Sequence, residues 1–274
     1  MAKKVRMTKE VLIAFGSPSD HEKYFKPDFP HASDTRYWLS VASAHRVPEV
    51  VKRHARARPY DAIIAGAGMK NALMDAYFRE CPNAIHVALP IGDSRTLGLS
   101  SILSSSEMPP GCPVAMSEIN NLPAAVDFAN YAINTNFDSI RLQKDSHDDS
   151  EKVFGDAVKM LSELDINFSH NDSKQVLDLI VYSGPSSLDH LEHSTFAVAT
   201  FSMPLRSYGV LQNYANSLKD NPFLVHTGIA DGANLALYAA KIIGRSDPAI
   251  KKRLKAKFEA GKIKYDNFKD LREV

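Results

Sequence analysis

Short apolar runs at 11–15, 62–65, 85–89 and 114–116, each bounded by Gly, Pro or Asp, restrict this chain to one class of fold. Uninterrupted apolar residues suit strands buried on both faces, whereas the segments between them, 48–58, 71–79 and 123–133, have helical length and periodicity. Strands alternating with helices predict an α/β fold, a parallel sheet covered on both sides. Ligands of such sheets bind at the carboxyl ends of the strands, which here means the loops 16–20, 43–48, 66–71 and 90–98. One crossover breaks the pattern. Between Asp20 and Tyr37 stand Pro27 and Pro30, and an interior proline costs a helix ~3 kcal/mol. The first crossover is therefore expected to be irregular or much shortened.

After residue 138 the pattern starts again. A short strand at 139–142 precedes an amphipathic helix at 151–164, with further strands at 166–169 and 177–182. "HSTFAVATFSMP" then echoes "CPNAIHVALP", and "FLVHTGIADGANLALYAAKII" echoes "CPVAMSEINNLPAAVDFANYAI", in the same order. Two tandem units, 1–137 and 138–274, account for the length better than one sheet of ten strands. The last stretch, 247–261, has a helical composition and no counterpart in the first unit.

Composition removes several classes of function. At 44% hydrophobic and 24% charged residues the chain reads as an ordinary soluble globular protein. A net charge of +1 leaves no footprint for nucleic acid or an anionic membrane, and the basic cluster at 251–257 reads as a solvated helix face. Cys81 and Cys112 are too few for a metal cage or a disulfide framework, which favours a reducing cytoplasm. The apolar run behind the basic start MAKKVRMTKE is too short for a secretory or membrane segment. The serine run 104–106 has no assignable His or Asp partner, so a hydrolase triad has little support.

The loop "GSPSD" at 16–20 leaves the first apolar run through residues that punctuate chains anywhere. It is equally a strand-to-helix junction able to face a phosphate with backbone N–H groups and hydroxyls. Taken with SAHRVP at 43–48, IIAGAG at 63–68 and LSSILSSSEMPPGCPVA at 99–115, it resembles the PurE family of purine biosynthesis across most of residues 11–133. The resemblance implies a flavodoxin-like three-layer α/β/α fold and the formation of carboxyaminoimidazole ribonucleotide. It also implies an octamer with nucleotide sites at subunit junctions. Two fused units would halve the subunit count, giving a homo-tetramer with pseudo-octameric symmetry.

The expected partners are thus a small nucleotide and carbon dioxide. Gly16, Ser17 and Ser19 suit the substrate's phosphate by close backbone approach and hydroxyl donors, and Arg46 by its planar fork. Asp20 has the wrong sign for phosphate but suits the ribose hydroxyls, as the family uses it; capping a helix is its plain structural alternative. Ser43 and Ala44 complete the binding turn of SAHR. Carboxylation at ring carbon C4 needs that carbon's proton removed, and carboxyl migration needs one delivered to the exocyclic nitrogen. A histidine, ordinarily of pKa ~6.5, does both at neutral pH, and His45 matches the family's acid/base. Gly66, Ala67 and Gly68 leave room for the ring and for carbon dioxide. No metal constellation is visible, and this chemistry needs no cofactor.

The chain departs from the microbial pattern after IIAGAG. Ala72 stands where a histidine is expected, and Lys70 and Asn71 introduce a stretch closer to the animal-type branch, while Arg46 matches the mutase branch. Free carbon dioxide and an N5-carboxy isomer both remain open as carboxyl source. In the second unit the loop becomes KDSHDD at 144–149, without glycine and with three carboxylates that would repel phosphate. There His170 stands near the place of His45 and Asn171 replaces Arg46. That unit reads as a degenerate partner. The alternative for the whole chain is a non-catalytic paralogue that binds a purine-pathway nucleotide or serves assembly.

Overall fold

Val11–Phe15 are fully enclosed in β1 (Lys9–Phe15), because the strand is flanked on both edges and covered on both faces. The computed structural model describes residues 8–25, 34–68, 72–92, 99–168, 175–188, 196–203, 214 and 223–266. In the first half β1 pairs in parallel with β2 (Thr35–Val41) and β3 (Ala62–Ala67), and β3 continues to β4 (Ile85–Pro90) and β5 (Ala115–Met116). The helices between them are α1 (Pro18–Tyr24), α2 (Pro48–Arg56), α3 (Ala72–Glu80) and α4 (Leu99–Ser106), and α5 (Leu122–Asn134) follows β5. α1 ends at Tyr24, short as the prolines required. Pro27 and Pro30 themselves lie outside the described residues.

The second half supplies β6 (Ser139–Lys144), α6 (Asp148–Glu163), β7 (Val176–Tyr182), β8 (Ala197–Phe201) and β9 (Leu224–Ile229), then α7 (Gly232–Ile243) and α8 (Pro248–Asp266). The nine strands of the described residues belong to one sheet, ordered β2-β1-β3-β4-β5-β9-β8-β7-β6. Parallel sheets were expected for the two units; instead the halves join edge to edge through Met116 of β5 and His226 of β9, which pair antiparallel. The strands of the halves therefore point in opposite directions, and their carboxyl ends lie at opposite ends of the sheet. One face is covered by α5, α6 and α7 around Val126, Phe128, Leu161 and Leu235; the other by α2, α3 and α4 around Val51, Leu73 and Ile102. This is the expected three-layer α/β/α architecture.

The backbone hydrogen bonds of one half recur in the other. Gly16 N donates to Gly66 O and Asp145 N to Val181 O; Ile91 N to Ala67 O and Ser202 N to Tyr182 O; Asn120 N to Pro90 O and Ala230 N to Phe201 O. Asn120 and Ala230 share a left-handed backbone, at φ 60° and 52°. β2 is the exception. Its counterpart was expected as a strand at 166–169; among the described residues Phe168 forms a parallel bridge with Ile140, and residue 169 lies outside them.

A buried amine ties the halves together. Lys241 of α7 is 3% exposed; its Nζ lies 2.8 Å from Nδ1 of the buried His86 on β4 and donates to Pro113 O at 3.4 Å. Burial drives its pKa well below the ordinary 10.5. The unfolded chain then holds a proton that the native state lacks, so stability rises with pH, by about 1.4 kcal/mol per unit, between the lowered pKa and the ordinary one. His86, pushed down by burial and then by Lys241, is neutral in both states above about pH 7. Cys81 and Cys112, both raised by burial, add an opposing slope only above about pH 8.5. Thermal denaturation should show the parent gaining stability relative to Lys241→Met as pH rises toward the ordinary lysine value. A difference that stays constant with pH would contradict a neutral lysine.

Candidate active site

The parallel registers bring the first half's loops to one end of the sheet. Phe15 is level with Val41 on one side and Gly66 on the other. Gly16 N donates to Gly66 O and Ala42 N to Phe15 O, both at 2.9 Å, which fastens the starts of all three loops. Close approach favours Gly16: a Cβ there would lie 3.1 Å from the Ala67 Cβ, closer than most Cβ contacts, so β3 would have to give way slightly. Chain and ligand can thus pass at backbone distance.

Ser17 caps α1, its Oγ accepting from Asp20 N at 3.1 Å and lying 2.9 Å from Ser19 Oγ. The helix cap is therefore Ser17, and the capping alternative for Asp20 is corrected. Asp20's carboxylate turns toward β3 instead, where burial raises its pKa against the opposing hydrogen bonds of Ser17 and the Gly68 backbone N–H. Ser43, Ala44, His45 and Arg46 form a turn in which Val47 N donates to Ser43 O at 3.0 Å and Arg46 N to Ser43 Oγ at 3.3 Å. His45 and Arg46 are exposed there, at the same end of the sheet as Gly66, Ala67 and Gly68, which lie across β1 at the end of β3. Lys70 and Asn71 lie outside the described residues, as do His170 and Asn171 of the second half. Ala72 is the first residue of α3.

Three supporting residues were not singled out from sequence. Ser101, fully buried, donates to Ala67 O at 2.7 Å and accepts from Ile91 N at 3.3 Å, bracing β3 against β4 beneath the glycines. Asn120 Oδ1 accepts from Gly92 N at 2.7 Å, and Tyr24 OH donates to Gly92 O at 3.2 Å. Only Asn120 carried a readable signal, since Asn tolerates the left-handed backbone it adopts. The MPPG stretch, by contrast, does not join these loops. It precedes β5 and so lies where the first-half strands begin; Gly111 N donates to Asn234 Oδ1 at 2.9 Å, and Asn234 Nδ2 donates to Pro109 O at 3.1 Å. Met108 and Pro110 line a cleft of about 520 Å³ with Asp156, Lys159 and Asp231 of the second half.

A profile of the AIR carboxylase family matches residues 10–152, more than half of the chain. The chain belongs to the AIR carboxylase family. Over 106 residues it is 40% identical to an N5-carboxyaminoimidazole ribonucleotide mutase of Methanocaldococcus jannaschii, covering 38% of this chain and 66% of that one. The chloroplastic phosphoribosylaminoimidazole carboxylase of Vigna aconitifolia is 33% identical over 127 residues, 44% of this chain and 23% of its own. A mutase of Brucella melitensis is 32% identical over 127 residues, 43% and 75% of the two chains. This AIR carboxylase family member thus spans from 23% to 66% of the length of the first relatives it matches.

In this family member the second half's loop has a different occupant. Asp145 holds the position of Gly16, as the matching bonds to Val181 O and Gly66 O show. Its Oδ2 accepts from Ser183 N and Ser183 Oγ, both at 2.6 Å, and from Ser187 Oγ at 2.8 Å; its Oδ1 accepts from His147 N at 3.2 Å and from Ser150 Oγ. Burial pushes this carboxyl up, but the bonds from Ser150, Ser183 and Ser187 outweigh it and hold the pKa at about 2. The expectation that the loop's carboxylates simply repel an anion is incomplete: one of them is bound as an anion. Among the described residues no group of three or more His, Cys, Asp or Glu is placed to hold a metal ion, and no helix is long and apolar enough to cross a membrane.

Proposed function

We propose that this chain forms 4-carboxy-5-aminoimidazole ribonucleotide at one site, in the first half. The convergence of GSPSD, SAHR and GAG at the carboxyl ends of β1, β2 and β3, inside the family match, carries the reading. Gly16, Ser17, Ser19 and Arg46 take the phosphate, and Ser43 and Ala44 shape the turn that holds it. Asp20 accepts from the ribose hydroxyls, since a carboxylate raised by burial gains from new donors. Gly66, Ala67 and Gly68 line the space for ring and carbon dioxide, and Lys70 and Asn71 follow them in the chain. C4 attacks the carbon of carbon dioxide, and His45 takes the proton that C4 then releases. With an N5-carboxy isomer, N5 first loses its carboxyl as carbon dioxide and receives a proton from His45, which C4 later returns.

Residues 1–137 and 138–274 are, on this reading, two units of one ancestral fold, supported by the recurring hydrogen bonds. Leu39 and Val41, 48% and 36% exposed on edge strand β2, provide apolar surface for a homo-tetramer of such chains. The free thiols of Cys81 and Cys112 suit a reducing cytoplasm. Turnover of aminoimidazole ribonucleotide with bicarbonate, compared with turnover of the N5-carboxy isomer without it, tests the activity and identifies the carboxyl source; sedimentation of the same preparation should give a tetramer. Consumption of neither substrate would leave the non-catalytic nucleotide-binding paralogue, which Ala72 in place of the family's histidine favours.

A further inference from the structure

The two halves solve the same loop in opposite ways. At Gly16 the residue that leaves β1 has no side chain, and it is Asp20, four residues on, that accepts from the Gly68 N–H past β3; at Asp145 the residue that leaves β6 itself accepts from Ser183 N just past β7. Five hydrogen bonds converge on that carboxylate from His147 N, Ser150 Oγ, Ser183 N, Ser183 Oγ and Ser187 Oγ. Two carboxylate oxygens offer about four lone-pair positions, so the donor set exceeds its occupant. Ser150 is fully buried and also lies 2.9 Å from the buried Ser202 Oγ, which holds its hydroxyl in place. A donor cage of hydroxyls and backbone N–H groups, with more donors than a carboxylate needs, matches a tetrahedral oxyanion.

We propose that Asp145 is a built-in anion occupying a phosphate cradle in the second half, so that this half binds no phosphate monoester while the carboxylate is present. The chain is thereby a one-site protein: the closed half keeps a set of hydroxyl and backbone donors, filled by its own carboxylate, although Asn171 stands where the first half has Arg46. Lys144 pairs with Glu151, and Asp148 and Asp149 lie on the first turn of α6. An added phosphate therefore meets a more acidic surrounding than at Gly16, and binds more weakly. The proposal rests on the function above only in taking the first-half loop as a phosphate site.

Orthophosphate is the probe, with chloride at equal ionic strength as control. Asp145→Gly should lose thermal stability, because the cage loses its ligand, and orthophosphate should restore it, with a rise in Tm larger than in the unaltered chain. Adding Ser183→Ala and Ser187→Ala to Asp145→Gly should abolish that extra rise. Asp145→Asn, which keeps the space filled, should show none. The proposal is overturned if orthophosphate raises the Tm of Asp145→Gly no more than that of the parent, or if the extra rise survives loss of both serines. The reciprocal Gly16→Asp should remove whatever phosphate binding the parent has. If Asp145→Gly responds and Gly16→Asp changes nothing, the cradle stands and only the functional reading of the first half falls.

Discussion

His45→Asn should lower kcat for 4-carboxy-5-aminoimidazole ribonucleotide formation by about 10²- to 10⁴-fold, the usual worth of a positioned acid/base group. The amide has similar size and can still donate and accept hydrogen bonds, but it cannot take up the proton that C4 releases. KM should change little, because the proposed reading assigns phosphate and ribose to other residues: Ser17, Ser19, Asp20 and Arg46. The fold gives no competing explanation. His45 is exposed in a turn closed by backbone and Ser43, so its loss should move stability by no more than about 0.5 kcal/mol. A kcat within a few-fold of the parent, in a variant of unchanged Tm, would remove His45 from the chemistry. Arg46→Ala separates the roles, since loss of a phosphate clamp raises KM before it lowers kcat.

Such a placement was legible because motif loops in parallel sheets must emerge at strand ends. β1 and β3 were visible as apolar runs and β4 as one interrupted only by His86, being buried on both faces. β2 was not. As an edge strand it pairs on one side and buries only Ser40, so TRYWLSV lacks the enclosed apolar stretch of the inner strands, and its signal is the β-preferring Tyr37, Trp38 and Val41. The junction of the halves was hidden for a different reason. A single antiparallel contact, Met116 to His226, has no local sequence signature. Asp145 shows a third limit: composition marked the loop as acidic, yet its meaning depends on Ser183 and Ser187, nearly 40 residues away or more and brought close by β7. Lys241 is a fourth case, a charged residue type on a helix whose every described side chain is buried or nearly so.

Gly232→Ala and Gly155→Ala should move stability in opposite directions, and by the larger amount at Gly232. Gly232 opens α7 where that helix crosses α6 backbone against backbone. A Cβ there would lie 1.9 Å from Val153 O and 2.8 Å from Ala157 N, atoms that cannot swing aside as a side chain would. The helices must separate, and with them the face that α6 and α7 jointly place over β7, β8 and β9. Overpacking of a core costs about 1–3 kcal/mol, occasionally more, and a backbone obstacle puts this site at or above the upper end. Gly155 lies in the same helix α6, exposed, with nothing within 4 Å of a built Cβ. Alanine there should stabilise by about 1 kcal/mol, because an exposed helix-interior glycine forfeits roughly that much backbone entropy. Chemical denaturation of the two variants reads the difference directly. Equal effects would mean that α6 and α7 do not touch at Gly232, and that the second half is not packed as a rigid partner behind the first half's site.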